Sequence, residues 1–150
     1  MKKFFNITCL AIILGSLITE NIKAKENQCF VEFSTLNICD TARKIQTEMA
    51  PNLPMQLSQN LFLSKVTSFG PQLNLHANLR YDEKYLEDAL SAQGASREAV
   101  DQHMKLMAKN KVCSDTTTEA FMGLGGKIGF DYSFIDGVTY LQFVVDIKSC

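Results

Sequence analysis

Alternation of apolar and polar side chains is the clearest pattern in the chain, and it covers residues 72–81. Successive side chains of a strand point to opposite faces of a sheet. The pattern therefore predicts an antiparallel strand with one buried face and one solvent-facing side. The apolar positions are Leu73, Leu75, Ala77, Leu79 and Tyr81, and the polar positions are Gln72, Asn74, His76, Asn78 and Arg80.

Two hairpins follow from the turn residues. A strand over 61–68 precedes Gly70-Pro71, a turn pair that leads into the alternating strand. Asp136-Gly137 predicts a two-residue type I′ turn in the last segment. That turn sets a register in which the apolar positions meet on one face. The expected pairs are Phe134–Thr139, Tyr132–Leu141, Phe130–Phe143 and Ile128–Val145.

Helical spacing predicts a first helix after Asn37, which Pro51 and Pro54 terminate. A second helix begins after Asp82 and ends at Gly94. The apolar stripe of the first comprises Ile38, Ala42, Ile45 and Met49, and that of the second Tyr85, Leu86, Ala89 and Leu90.

A third helix begins after Ser96, and a Thr116–Glu119 capping box predicts a short fourth one. Together the elements predict an α+β fold: an antiparallel sheet of about four strands in two hairpins, with helices packed on one face. We expect the third helix to direct Val100, His103, Met104 and Met107 inward.

The first 24 residues have the layout of a secretory signal peptide. Lys2 and Lys3 precede the apolar run Phe4–Ile18, and the small residue Ala24 follows. A run of about 15 residues is shorter than the roughly 20 needed to span a bilayer. We therefore expect cleavage after Ala24, one domain over 25–150, export to the periplasm or beyond, and no stable membrane insertion.

Charge gives no reason to expect nucleic acid as a partner. The 150 residues carry a formal net charge of −1, and cleavage leaves 12 basic and 15 acidic side chains. Nucleic-acid binding needs a basic patch that displaces counterions.

Four cysteines remain after cleavage, and an even number in an exported domain predicts disulfides. Four cysteines allow three connectivities. The ends of the last elements favour Cys113 with Cys150, which leaves Cys29 with Cys39. No Cys-x-x-Cys pair is present, and His76 and His103 lie far from the cysteines in sequence, so no metal and no cofactor is expected.

No motif of a catalytic site stands out. The glycine-rich run 123–127 lacks the order of strand, loop and helix that a phosphate loop requires, and Gly-x-Ser-x-Gly is absent. We therefore expect no catalytic residues. If the protein were a small secreted hydrolase, His76, Asp131 and Ser133 would be the candidates.

Two sets of residues are candidates for protein binding. Met49, Met55, Met104 and Met107 could form an adaptable surface, although their helical spacing favours core packing. The outer face of the last hairpin mixes apolar and polar groups, as a protein interface does. The residues proposed for binding there are Tyr140, Val138, Val144, Asp131 and Gln142.

The leading hypothesis is thus an exported, non-enzymatic protein that binds another protein of the envelope or of a host. An effector or inhibitor acting on a host or competitor protein is an alternative, and a small secreted hydrolase is another. The layout resembles that of small disulfide-bonded proteins exported by Gram-negative bacteria, including secretion-system accessory proteins, and no single motif carries this resemblance.

Overall fold

A five-stranded mixed sheet with helices on one face forms the core of the protein. The structure is a computed structural model, and it describes residues 28–31 and 34–150. The predicted signal peptide lies outside the described residues. The strands are β1 (Met55–Ser58), β2 (Leu61–Phe69), β3 (Gln72–Leu79), β4 (Lys127–Ser133) and β5 (Thr139–Val145), and they lie side by side in that order.

Four α-helices have the start residues that capping chemistry dictates. They are α1 (Ile38–Met49), α2 (Glu83–Gln93), α3 (Arg97–Ser114) and α4 (Thr116–Gly123). The side chains of Asn37, Asp82 and Ser96 accept hydrogen bonds from the first turns of α1, α2 and α3, as the sequence predicts. The expected capping box at Thr116 is wrong, because Asp115 caps α4 by accepting from the N–H groups of Thr117 and Thr118.

The sheet differs from the expected one in two ways. It has a fifth strand, β1, at the edge beside β2. In addition, β3 and β4 are parallel, whereas the other three pairs are antiparallel. Parallel neighbours need a long crossover, and α2, α3 and α4 supply it between the ends of β3 and β4. Side-chain alternation predicts a strand but carries no information on the direction of its neighbour.

The second hairpin keeps the predicted register except at its turn. Ile128 pairs with Val145, Phe130 with Phe143 and Tyr132 with Leu141, but Thr139 lies opposite Ser133 instead of Phe134. Gly137 has a φ of +86° and donates its N–H to the carbonyl of Phe134. The loop therefore contains three residues and not two. The pairing shifts by one position next to the loop, because β5 has one extra residue there, which forms a bulge.

Every helix contributes side chains to the same face of the sheet. One part of the core joins Ile38 and Ala42 of α1 with Phe121 and Met122 of α4 against the β2 to β5 residues Leu63, Val66, Leu73, Ile128 and Val145. A second part packs Leu86 of α2 against Ala77, Leu79, Tyr132, Phe134 and Leu141. The polar positions of the strands occupy the opposite, helix-free face.

Two disulfides reinforce this arrangement. They join Cys29 to Cys39 and Cys113 to Cys150, the pairing that the sequence favours. The first closes the segment before α1, and the second links the end of α3 to the residue after the last 3₁₀ turn, Ile147–Ser149. Within the described part of the chain, no helix combines the length and apolar character needed to cross a bilayer.

Candidate functional site

An open apolar groove of about 720 Å³ separates the middle of α3 from the sheet. We call it the methionine groove. Its floor is the inner face of β2, β3 and β4. Its walls are α3 on one side and β1 with the end of α1 on the other. The lining includes the floor residues Leu63, Leu75, Ala77, Phe130 and Tyr132, and the wall residues Met49, Met55, Leu57, Leu61, His103, Met104, Met107, Ala108, Lys111 and Val112.

The groove exists because α3 packs loosely on the sheet. Val112 is the one buried residue of its 18, although the helix also carries Met104, Leu106 and Met107. Met107 is 57% exposed and Leu106 is 52% exposed. A helix within a single-domain core ordinarily buries a whole apolar stripe, whereas α3 leaves part of its apolar surface exposed.

A second apolar cavity of about 330 Å³ continues the groove past the end of α3. The two cavities share Met49, Met55 and Leu75 in their linings. The second one adds Phe121 and Ile128. The two cavities therefore lie next to each other on the inner face of the sheet.

Charged groups mark the two cavities differently. Lys111 and His103 border the methionine groove, whereas Glu48 and Asp115 border its continuation. Hydrogen bonds from Thr118 and Thr117 lower the pKa of Asp115 below its ordinary value. The continuation therefore carries two carboxylates, Glu48 and Asp115, and Lys111 of the methionine groove lies near enough to Asp115 to interact with its charge.

The structure brings the four methionines together at this groove, although their helical spacing favours core packing over an adaptable surface. All of them line the methionine groove, and Met55 is 38% exposed. The prediction that α3 directs both residues inward holds for Met104, which is partly buried and packs against the second part of the core, but it is wrong for Met107, which is exposed. The number of methionines in one region is the signal that could have revealed the site.

Both ends of α3 are nevertheless attached to other elements, one end to β5 and the other to the segment that follows β5. At the first end, the Tyr140 hydroxyl donates a hydrogen bond to the Asp101 carboxylate, and the Arg97 guanidinium lies 5.0 Å from the Tyr140 ring centroid. Burial, together with this hydrogen bond, raises the pKa of Tyr140 above its ordinary value. At the other end, Cys113 is bonded to Cys150.

The residues predicted to form a binding surface on the last hairpin do not all lie on the same face of the structure. The bulge in β5 turns Tyr140 inward, where it is 8% exposed and packs on Phe134. Val138 lies exposed in the turn region, whereas Gln142 and Val144 remain on the outer face with Asp131. The expectation that Tyr140 anchors an exposed surface is therefore wrong. Binding by the other four residues stays a prediction.

Two of the three hydrolase candidates are in contact on the outer face. His76 Nδ1 lies 3.1 Å from Asp131 Oδ2, and His76 Nε2 lies 2.9 Å from the hydroxyl oxygen of Thr67. Ser133 is not the hydroxyl in this arrangement; it is adjacent to Asn78 in the sheet register. An acyl-transfer site also needs free N–H donors for the oxyanion, and β2, β3 and β4 engage their backbone groups in strand pairing here.

Comparison with solved structures identifies proteins with the same fold. One is the pilotin EpsS of the Vibrio vulnificus type 2 secretion system, with a TM-score of 0.60 and 16% sequence identity; the match covers 75% of this chain and 91% of that one. Another is the type II secretion system pilotin AspS of Vibrio cholerae, at a TM-score of 0.56 and 17% identity over 75% and 92% of the two chains.

A third structure is that of a Pseudomonas aeruginosa protein described as secreted. Its TM-score is 0.58 and its identity 18%, over 75% of this chain and 92% of that chain. No protein-family model and no curated protein matches the sequence. The shared fold is thus one found in two pilotins of type II secretion systems and in a Pseudomonas aeruginosa protein described as secreted.

Proposed function

We propose that this protein is an exported, non-enzymatic accessory protein of a bacterial secretion system. It binds an apolar segment of another component in the methionine groove. The observation that carries the proposal is the groove itself, an apolar cavity left open between α3 and the sheet.

The chemistry of the lining suits this role. Burying a methionine side chain fully contributes roughly 1.5–3 kcal/mol, so covering Met55 and Met107, both partly exposed, gives a partner an appreciable hydrophobic gain. Methionine is also flexible and polarisable, and it adapts to the shape of a bound segment. The groove therefore fits an apolar peptide segment better than a small polar substrate.

The fold gives independent support. Two of the structures that share it are pilotins of type II secretion systems. The partner that we propose for the methionine groove would be a protein of the same secretion assembly. The export expected from the first 24 residues would bring this chain to the envelope compartment. The effector and inhibitor alternatives lack a comparable observation in their favour.

Paired substitutions on α3 test the proposal. Met107 lines the groove, whereas its neighbour Leu106 is about equally exposed and lies outside the lining. Tagged protein is used to capture cross-linked partners from the envelope fraction. Met107→Glu places a charge in the groove and should reduce recovery of the secretion-system component at least tenfold.

Leu106→Glu is the matched control and should leave recovery unchanged. Circular dichroism and thermal unfolding of both variants establish that each is folded. Equal recovery with the two variants, or recovery of no secretion-system component with the unaltered protein, would contradict the proposal.

A further inference from the structure

Strand β5 is an open edge of the sheet. The strand order places β1 and β5 at the two edges. Exposed edges tend to pair with other chains, and proteins protect them by short strands, bulges, proline or charged side chains. Strand β1 has four residues and an irregular register, whereas β5 has seven residues and contains no charge and no proline. Beyond the bulge beside its turn, β5 therefore carries none of these protections.

The hydrogen bonds at the two ends of β4 show which main-chain groups of this strand point towards β5. The groups of successive residues in a strand point to alternate sides. Lys127 donates its N–H to the carbonyl of Pro71, which precedes β3, and Phe134 donates its N–H to the carbonyl of Val138, which precedes β5. The odd-numbered residues of β4 therefore bond towards β3 and the even-numbered ones towards β5.

The same alternation identifies the groups that face the open edge of β5. Its residues Leu141, Phe143 and Val145 lie opposite even-numbered residues of β4 and so bond to that strand. Gln142 and Val144 then direct both their N–H and their carbonyl groups away from β4. Val144 is 49% exposed and Gln142 is also exposed, and the sheet of the described residues contains no strand beyond them. The N–H and carbonyl groups of these two residues thus remain open to a further strand.

We propose that β5 of a second copy of this chain pairs with β5 in antiparallel orientation and forms a two-fold symmetric dimer. A two-fold axis at Phe143 places Gln142 of each copy opposite Val144 of the other. Each such pair exchanges two hydrogen bonds from N–H to carbonyl, so the dimer uses all of the groups that face the edge. The two five-stranded sheets then join into one continuous sheet.

The side chains of β5 are compatible with this pairing. Phe143 is partly buried on the inner face, where its ring stacks on Phe130 with the centroids 4.9 Å apart. The two-fold axis makes Phe143 of the second copy its direct neighbour, and aromatic cross-strand pairs stabilise a sheet. On the outer face, Gln142 and Val144 meet without bringing like charges together.

Charge at the two ends of β5 favours a second copy as the occupant of this edge. Asp136 lies in the loop before the strand and Lys148 in the 3₁₀ turn after it. Both are exposed, and neither forms an ion pair among the described residues. Antiparallel pairing brings the first end of each strand to the last end of the other, so Asp136 approaches Lys148 of the second copy. A segment of another protein would satisfy the main chain equally well, but two-fold symmetry supplies the opposite charge and the aromatic neighbour from this sequence itself.

We expect the dimer to be reversible. A contact between two seven-residue strands is smaller than the roughly 1,200–2,000 Å² of a standard stable interface, and small interfaces belong to transient complexes. Pairing within one continuous sheet keeps the helices of both copies on the same side, so the two methionine grooves open on one side. No residue of β5 lines the groove, so this inference does not rest on the proposed function.

Sedimentation velocity and amide hydrogen exchange of the purified exported protein test this inference. Between about 5 and about 500 µM, the weight-average mass should rise from that of one chain towards that of two. At the higher concentration the amides of Gln142 and Val144 should exchange at least threefold more slowly, because the second copy accepts their N–H groups. The amide of Phe143, which bonds to β4, should be protected at both concentrations.

Matched lysine substitutions locate the contact between the copies. Gln142→Lys places a charge on the β5 edge, and the two lysines of a dimer become diagonal neighbours of like charge. The Kd of the dimer should rise at least tenfold. Gln56→Lys is the control, because it makes the same change at an exposed position of β1, the opposite edge, and it should leave the Kd unchanged.

A second variant removes a main-chain donor. Val144→Pro eliminates an N–H that faces the edge and that β4 does not use, and proline is tolerated at such positions. It should weaken the dimer to a similar extent. Thermal unfolding establishes that each variant is folded.

A single-chain mass at about 500 µM would overturn the inference, because even a transient interface should be populated there. So would a dimer in which the amides of Gln142 and Val144 remain unprotected, or an unchanged Kd in folded Gln142→Lys protein. These measurements use purified protein without a secretion-system component, so their failure is distinguishable from a failure of partner capture.

Discussion

The Tyr140 hydroxyl donates a hydrogen bond to the Asp101 carboxylate and thereby joins strand β5 to the first turns of helix α3. The Arg97 guanidinium lies over the same ring, and it also bonds Glu83 of α2 at 2.5 Å. At the far end of α3, Cys113 is bonded to Cys150. Helix α3 is thus attached at both ends.

The stretch between these attachments forms the wall of the methionine groove. From His103 to Lys111 the helix extends about 12 Å at 1.5 Å per residue. In this stretch Met104 packs against the edge of the core, whereas Met107 lies exposed along the cavity. The attachments therefore hold the groove open without filling it. This preorganisation lowers the cost of binding, because the protein does not have to order a wall when the partner arrives.

Removing the Tyr140 hydroxyl should loosen the first attachment. Tyr140→Phe keeps the ring contacts with Phe134 and Arg97 but loses the bond to Asp101. A hydrogen bond to a charged group contributes about 1.5–3 kcal/mol. Urea unfolding should show a loss of this size, whereas Tyr85→Phe, at an exposed position, should change the unfolding free energy by less than about 0.5 kcal/mol.

The same hydroxyl should also make stability sensitive to alkali. The pKa of Tyr140 is raised in the folded state by burial and by Asp101, above the value of 10.0 expected in the unfolded chain. Its contribution is then fully present below pH 10 and is lost as the pH rises above it. Tyr140→Phe should flatten the decline between pH 10 and 11.5, and identical declines in the two proteins would contradict this assignment.

The two disulfides should differ in their effect on stability. Cys113 and Cys150 are 37 residues apart and Cys29 and Cys39 are 10 apart. In the chain-entropy description the longer loop gives the larger effect, about 4 kcal/mol against about 3 kcal/mol. Differential scanning calorimetry should therefore show a larger decrease in Tm for Cys113→Ala/Cys150→Ala than for Cys29→Ala/Cys39→Ala. The reverse order would show that native-state packing, and not loop closure, determines the difference.

Acid should weaken the start of α4 through Asp115. Hydrogen bonds from Thr118 and Thr117 lower the pKa of Asp115 in the folded state below the ordinary value of 3.8. The stabilisation is therefore present above that pH and is lost as the pH falls through the folded pKa. Asp115→Asn keeps the capping acceptor but cannot titrate. Thermal unfolding from pH 6 to 2.5 should depend less steeply on pH in this variant, and parallel profiles would contradict the prediction.

Oxidation should abolish binding in the methionine groove. Peroxide converts exposed methionine to the polar sulfoxide, and Met55 and Met107 are exposed whereas Met122 is fully buried. Mild treatment should therefore lower partner recovery without unfolding the protein. Leucine is close to methionine in volume, so Met55→Leu/Met107→Leu should bind before and after treatment. If the oxidised leucine variant lost binding, the residue whose oxidation prevents binding would be neither Met55 nor Met107.

Much of the fold follows from local chemistry in the sequence. Asn37, Asp82 and Ser96 begin helices because each can accept hydrogen bonds from free N–H groups. The alternation over Gln72–Leu79 gives a strand with the expected faces. The parallel pairing of β3 with β4 could not be predicted in this way, because it depends on where the helical crossover returns the chain.

The groove depends on tertiary distances, which the pattern of residues does not contain. Spacing correctly places Met104 and Met107 on one side of α3, but it cannot show that Met104 packs against the core while Met107 is left exposed in the groove. Likewise, the outward position of Tyr140 follows from strict alternation, and one extra residue in β5 reverses it. His76 and Asp131 lie 55 residues apart in sequence, and the parallel register of β3 and β4 brings them together.

Site-specific photo-cross-linking in the intact envelope tests the proposed function most directly. A photoreactive residue replaces Met107 in the groove, Leu106 beside it, or Val144 on the outer face, and the products are identified by mass spectrometry. The groove predicts a cross-link from position 107 to an apolar segment of a secretion-system component, with little product from position 106 or 144. A product of equal yield from 106, or one from 144 alone, would contradict binding in the methionine groove.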